Sequence, residues 1–133
     1  MTKLTRLLLV TTFSTFLGFF VVEAILWPMT WVQALLVPQL NPHLPYSVAL
    51  QADVLRTLFI NQAAYNLLLG TGGFIFLHRS RKGPTAGAIP ILRYLCIIAI
   101  GAAITLLSTT QAYVLGLVQF AFPAAALWSL RHE

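Results

Sequence analysis

The residue in this sequence that is best suited to carry out chemistry is Glu23, which is the only carboxylate within an apolar segment. It precedes Trp27 by one helical turn, which is about 6 Å along a helix axis. Ionisable residues inside membrane spans are functional candidates by default, because a charge in hydrocarbon is costly. We therefore interpret Glu23 as a catalytic residue that gives or takes a proton, and Trp27 as a substrate-binding residue whose ring stabilises positive charge. The structural alternative is that Glu23 reaches the membrane surface or ties two helices together.

A second group of polar side chains lies about forty residues later, at spacings i, i+1, i+4 and i+5. The group consists of Asn61, Gln62, Tyr65 and Asn66. At 100° per residue these positions cover an arc of about 140° on one side of a helix. Lipid cannot satisfy such groups, so we expect them to face other helices or a wet cavity. Ordinary hydrogen bonding between helices is the alternative.

These side chains predict a polar site in the outer half of a helical bundle, close to Glu23. We assign catalytic roles to Asn61 and Tyr65, and substrate-binding roles to Gln62 and Asn66. Gln119, which precedes Pro123 by one turn, is a further substrate-binding candidate, because proline in a span often bends the helix toward a cavity.

The composition defines the elements that must position this site. The chain has 133 residues, of which 59% are hydrophobic and only 8% charged. Soluble domains carry about 25% charged residues, so this composition indicates an integral membrane protein. The net charge of +5 lies mainly at the ends of apolar segments, so no nucleic-acid partner is expected. The single cysteine excludes an internal disulfide and a cysteine zinc cluster, and we predict no metal or cofactor.

The apolar segments predict an all-α fold, a membrane four-helix bundle formed by one domain over residues 1–133. The expected spans cover about 7–27, 54–77, 89–107 and 111–130. The last two spans should form a tight hairpin, and residues 28–53 should form an extracytoplasmic loop. This loop is either a plain connection or a short amphipathic stretch in the membrane interface. Asp53 and Arg56, at i and i+3, are expected to pair at the start of the second span.

The distribution of basic residues predicts the orientation of the bundle. Seven of the eight lie near the N-terminus, between the second and third spans, or near the C-terminus; these are Lys3, Arg6, Arg79, Arg81, Lys82, Arg93 and Arg131. Lys and Arg near span ends are retained in the cytoplasm, so both termini are expected there. We expect the protein in a plasma membrane or bacterial inner membrane. A cleaved signal peptide is the alternative for the first segment, although its apolar run exceeds the usual length.

Three short elements resemble a family of small four-span membrane proteins, domain-of-unknown-function family 1304. They are Glu23-x-x-x-Trp27, Asn61-Gln62-x-x-Tyr65-Asn66, and Val118-Gln119 followed by Pro123-Ala124. The resemblance would cover nearly the whole chain, and the Asn-Gln-x-x-Tyr-Asn element is its most specific part. It implies a four-span fold and no established activity. This chain departs from the family pattern in two places. Members usually carry a histidine early in the first helix, where this chain has apolar and hydroxyl residues around Phe16, and they have a shorter, more charged first loop.

The residues favour one function among three classes. The favoured class binds or transforms a small lipophilic molecule by acid–base chemistry, in the manner of an isomerase, with the lipid bilayer and that ligand as partners. A proton-coupled exporter that resembles the small multidrug-resistance transporters, which would act as a homodimer, is the second class. A structural subunit of a larger membrane complex is the third. Glu23→Gln should abolish activity or binding and leave the stability nearly unchanged.

Overall fold

A computed structural model describes residues 1–43, 45–82 and 87–133, apart from the side chain of Lys82. Residue 44 of the expected 28–53 loop lies outside the described residues. The same holds for residues 83–86 in the expected cytoplasmic connection, and for the Lys82 side chain of its basic cluster. The described residues are almost entirely helical and contain no strand.

Five α-helices make up the described chain. They are α1 (Lys3–Phe20), α2 (Thr30–Leu40), α3 (Val48–Arg79), α4 (Ala88–Thr109) and α5 (Tyr113–Ser129). A π-helical segment, Val21–Leu26, continues α1, and short 3₁₀ turns follow α3 and α5. Residues 110–112 alone connect α4 to α5, which confirms the predicted tight connection.

Three helical segments of the described residues are long and apolar enough to cross a membrane. They are Lys3–Leu26, Ala88–Thr109 and Tyr113–His132. This finding confirms the prediction of an all-helical protein with membrane-spanning helices. The helix that contains the expected second span, α3, is not among the three, because polar and charged side chains interrupt its apolar sequence.

Each of the four long helices packs against two of the others. The first helix, α1, packs against α3 and α5, and α4 packs against α5 and α3. The short helix α2 packs against α3. The main-chain N–H of Gln111, in the α4–α5 connection, donates to the carbonyl of Gln39 at 2.8 Å and so ties this connection to the end of α2. The helix α2 therefore belongs to the same end of the molecule as the α4–α5 connection.

The segment between the first two long helices differs from a plain loop. Of the two alternatives for residues 28–53, the structure favours a helical one, because α2 occupies Thr30–Leu40. The following helix α3 begins at Val48, before the expected start of the second span, since the Ser47 hydroxyl accepts a hydrogen bond from the Leu50 N–H at 3.3 Å and caps it.

The predicted pair of Asp53 and Arg56 at a helix start is wrong. Both residues lie beyond the first turn of α3 and are exposed, and no ion pair joins them among the described residues. The apolar pattern indicated a start near residue 54, whereas the helix capped by Ser47 begins at Val48, more than one turn earlier.

One end of the helix assembly, which we call the closed end, is filled by a hydrophobic core. Its buried residues come from all four long helices and the turn after α5; they are Leu9, Phe13, Leu77, Leu92, Cys96, Ala126 and Leu130. Gly73 of α3 lies directly against the Phe13 ring, where a Cβ would come within 2.2 Å of a ring carbon. Glycine at this position therefore allows the close approach of α1 and α3.

Candidate functional site

Glu23 lies on the π-helical segment that ends the first span. The preceding α-helix changes to this wider form at Val21, and the π form extends to Leu26. Short π-helical segments inside α-helices are frequent at functional sites. The segment places Glu23 near one end of the span Lys3–Leu26 and on the side that faces α3.

The carboxylate of Glu23 meets the second polar group predicted from the sequence. The amide Nδ2 of Asn66 donates a hydrogen bond to Glu23 Oε2 at 2.7 Å. Asn66 is 3% exposed and Glu23 is partly buried, so this bond lies between the π-helical segment and α3 in a partly buried position. The expectation that Glu23 finds a partner in the Asn61 to Asn66 arc is confirmed for Asn66.

A cavity of about 640 Å³ lies beside this hydrogen bond. All five helices or their extensions contribute to its wall, and most lining residues are apolar. The apolar lining residues are Phe19, Val22, Leu26, Trp31, Val32, Leu35, Leu36, Leu40, Leu58, Phe59, Ala102, Leu106 and Leu115. A cavity of this size and character is typical of sites for small organic molecules.

The polar lining comes from three helices in addition to the π-helical segment. It consists of Glu23, Gln62, Asn66, Thr105, Thr109 and Gln119. Gln119 is 7% exposed, and the carbonyl of this residue receives no helical hydrogen bond from position 123, because Pro123 has no N–H. Amide groups can both donate and accept hydrogen bonds, so this wall can orient a bound molecule in more than one way.

The structure divides the four polar residues of α3 between the cavity and the exterior. Gln62 and Asn66 line the cavity, whereas Asn61 and Tyr65 do not. Asn61 and Tyr65 are exposed, with 63% of the Tyr65 surface accessible, and Gln62 is also exposed although it lines the cavity, so only Asn66 of the four is buried. The expectation that all four face one site is wrong for these two, because an arc of 140° is wider than the strip of α3 that faces α1 and α4.

Trp27 is also outside the cavity. Its indole Nε1 donates to the carbonyl of Ala52 at 3.2 Å, and its ring stacks on Phe59 with centroids 4.0 Å apart. Only 3% of the residue is exposed, and the Gln33 side chain donates to its carbonyl at 3.0 Å. Trp27 therefore joins the end of the segment Lys3–Leu26 to α2 and α3, and it does not line the cavity that contains Glu23.

The cavity opens to the exterior alongside α2 and α3. Three of its apolar lining side chains are more than half exposed: Trp31 (60%) and Leu35 (57%) of α2, and Leu58 (62%) of α3. The polar lining residues Gln62, Thr105 and Thr109 are exposed as well. The mouth of the cavity therefore presents mainly hydrocarbon, together with one amide and two hydroxyl groups. Such a mouth admits a lipophilic molecule more readily than an ion from water.

Sequence reasoning missed several residues of this site. Thr105 and Thr109 lie on one face of α4 at i and i+4, and this spacing was the available signal for them. Phe19 and Phe59 lie in apolar stretches without any distinguishing pattern. No group of three or more metal-ligating side chains is found in the described ranges.

Comparisons with known proteins add no relative to this description: no family model, no curated protein and no solved structure matches the chain.

Proposed function

We propose that this protein binds a small lipophilic molecule in the cavity beside Glu23, within a membrane bundle of four spans. The observation that carries the proposal is the Glu23–Asn66 hydrogen bond of 2.7 Å in the wall of an otherwise largely apolar cavity. A carboxyl group with a neutral partner on one oxygen has the other oxygen available for a bound molecule. The proposed resemblance to family 1304 rests on the motif residues alone, since no family model matches the chain.

The membrane arrangement belongs to the same proposal. Three helices meet the requirements for a span, and α3 is the proposed fourth, since it packs against both α1 and α4. Its 32 residues extend about 48 Å, which exceeds the roughly 30 Å of hydrocarbon. Basic residues at the starts of α1 and α4 and the ends of α3 and α5 support a cytoplasmic closed end, with both termini there. The cavity then lies in the outer half of a plasma membrane or bacterial inner membrane.

Acid–base chemistry on the bound molecule is the proposed extension from binding to catalysis. Glu23 is placed to give a proton to the ligand or take one from it, while Asn66, Gln62 and Gln119 orient the ligand. An isomerisation that adds a proton at one carbon and removes one from another is balanced without any co-reactant. The position of Glu23 near the end of its span, away from the midplane, supports this class over a proton-coupled exporter.

Photochemical labelling tests the binding part of this proposal. Benzophenone is a neutral lipophilic probe that forms bonds to nearby C–H groups when illuminated, and the labelled residues are then mapped by peptide mass spectrometry. We expect labelling of cavity residues such as Leu36 and Leu106 that saturates with probe concentration. Labelling of Val114, which is 74% exposed on α5, should increase without saturation.

A matched pair of variants locates the labelling in the cavity. Ala102→Phe places a ring into the cavity, whereas Ala121→Phe places the same ring on the exposed surface of α5. We expect the first change to remove the saturable labelling and the second to leave it intact. Equal labelling of Leu106 and Val114 in all three proteins would contradict a binding cavity.

A further inference from the structure

The cavity holds a carboxylate for which the described chain supplies no positive charge. Glu23 Oε2 accepts the Asn66 hydrogen bond, and Oε1 takes part in no hydrogen bond or ion pair among the described residues. No Lys, Arg or His is found among the residues that line the cavity. A carboxylate removed from water is stabilised when a cation binds beside it, so a cationic ligand gains an interaction that a neutral one lacks.

Aromatic rings in the same cavity favour the same kind of ligand. Phe19, Trp31 and Phe59 contribute to its lining, and one side of the Phe59 ring is held by stacking on Trp27. The face of an aromatic ring attracts a cation, most strongly for tryptophan, and the attraction grows when water is excluded. A carboxylate together with aromatic rings is a suitable environment for an ammonium group.

The other lining residues indicate what kind of molecular body would fit beside the ammonium group. Leucine side chains from α2, α3, α4 and α5 form much of the wall, including Leu36, Leu58, Leu106 and Leu115. They match an apolar body, and the mainly apolar mouth beside Trp31 and Leu35 allows entry from the bilayer. A single carboxylate matches a single positive charge.

On these grounds, which rest on the proposed function, we propose that the ligand is a lipophilic monocation, an amine or ammonium compound with an apolar body. Its charged group lies at Glu23 Oε1 and its body lies against the leucines and aromatic rings of the cavity. The carbonyl oxygens of the Gln62 and Gln119 side chains accept hydrogen bonds from an ammonium N–H where the ligand has one.

Competition against benzophenone labelling tests the ligand class with three compounds that share one apolar body. These are 4-phenylbutylamine, (4-phenylbutyl)trimethylammonium and 4-phenylbutan-1-ol. We expect both cations to suppress labelling of Leu106 at concentrations roughly ten-fold lower than the alcohol requires. The quaternary compound has no N–H, so its preference over the alcohol reports the positive charge itself.

Two carboxylate variants identify the source of the preference. In Glu23→Gln the three compounds should compete about equally, whereas Asp53→Asn, which changes an exposed carboxylate outside the cavity, should keep the preference for cations. Equal competition by all three compounds in the unmodified protein overturns the inference, and this comparison needs no variant to fold. Retention of the full preference in Glu23→Gln also overturns it.

The two proposals fail in different ways. Saturable benzophenone labelling of the cavity without any preference for cations leaves the binding function in place and removes only the ligand class. Absence of saturable labelling removes both.

Discussion

The two ends of the helix assembly are formed by the same long helices but differ in what lies between them. At the closed end, side chains such as Phe13 and Leu92 are at most 1% exposed and fill the space between the helices. At the other end, the same four helices and α2 surround a cavity of about 640 Å³. Small residues such as Gly73 bring helices together at one end, whereas a carboxylate and amides lie between them at the other. Stability and binding are therefore expected to depend on different residues.

The carboxylates at the two ends, Glu133 and Glu23, differ in how many partners the chain supplies to them. Glu133 accepts hydrogen bonds from the Thr2 N–H at 2.6 Å and the Thr5 hydroxyl at 2.9 Å, and its Oε2 lies 3.0 Å from the Met1 ammonium. Glu23 has one neutral partner, Asn66. The first carboxylate is satisfied by the chain, whereas Oε1 of the second has no hydrogen-bond partner among the described residues.

The largest effect on stability is expected from Gly73→Ala. The added methyl group would overlap the Phe13 ring, which is buried and has little room to move, so the free energy of unfolding should fall by about 1–3 kcal/mol. Gly72→Ala is the matched control, because its added Cβ would meet no other side chain or neighbouring helix within 4 Å. Denaturant titration in mixed micelles measures both. Equal stability of the two variants would contradict a tightly packed closed end.

The next largest effect is expected on binding, from Glu23→Gln. The amide oxygen of glutamine can still accept from Asn66, so the free energy of unfolding should stay within about 0.6 kcal/mol of the unmodified value. Cation affinity should fall roughly ten-fold, because the charge is lost. Titration by competition labelling and a thermal unfolding curve on one preparation measure both quantities. Unfolding of this variant would assign Glu23 a structural role.

A smaller effect on stability is expected from Trp27→Phe. This variant tests whether Trp27 only stabilises the helices around the cavity or also contacts the ligand. The change removes the indole hydrogen bond to Ala52 and retains an aromatic ring beside Phe59, so stability should fall by about 0.5–1.5 kcal/mol. Benzophenone labelling should be unchanged, because Trp27 does not line the cavity. A loss of labelling without a loss of stability would restore the substrate-binding role expected from the sequence.

The smallest effect is expected from Glu133→Gln, and it should depend on pH. The Thr2 N–H, with help from the Thr5 hydroxyl and the Met1 ammonium, lowers the pKa of Glu133 from 4.5 to about 2. Because the folded protein favours the deprotonated form, this contribution to stability is complete above about pH 4.5 and is lost as the pH falls toward 2. The stability difference between the two proteins should therefore shrink over that interval. A difference that does not change with pH would contradict this account.

The all-helical class and the membrane-spanning segments could be predicted because they follow from composition and segment length. The Glu23–Asn66 contact could also be predicted, because lipid offers a buried carboxylate and a buried amide few other hydrogen-bond partners. The position of Asn61 and Tyr65 outside the cavity could not be predicted. Helix periodicity gives the width of a polar arc, but it does not determine how the helix is rotated relative to its neighbours.

The role of α2 was equally hard to predict. Residues such as Trp31 and Leu35 were consistent with a helix at the membrane interface or with a loop, since Pro38 and the prolines after it interrupt the pattern. Its place in the cavity wall follows from packing against α3 and from the hydrogen bond between Gln111 and Gln39, which join distant parts of the sequence. Local sequence patterns do not predict contacts between residues that are far apart in the sequence.

The most direct test of the binding cavity is a crystal structure of the protein grown with 4-bromobenzophenone, whose bromine is located by its anomalous scattering. The account predicts one strong bromine peak within the cavity, enclosed by Phe19, Leu36 and Leu106 and close to the Glu23–Asn66 hydrogen bond. Bromine peaks confined to the outer surface of the helices, with side chains filling the space beside Glu23, would contradict it.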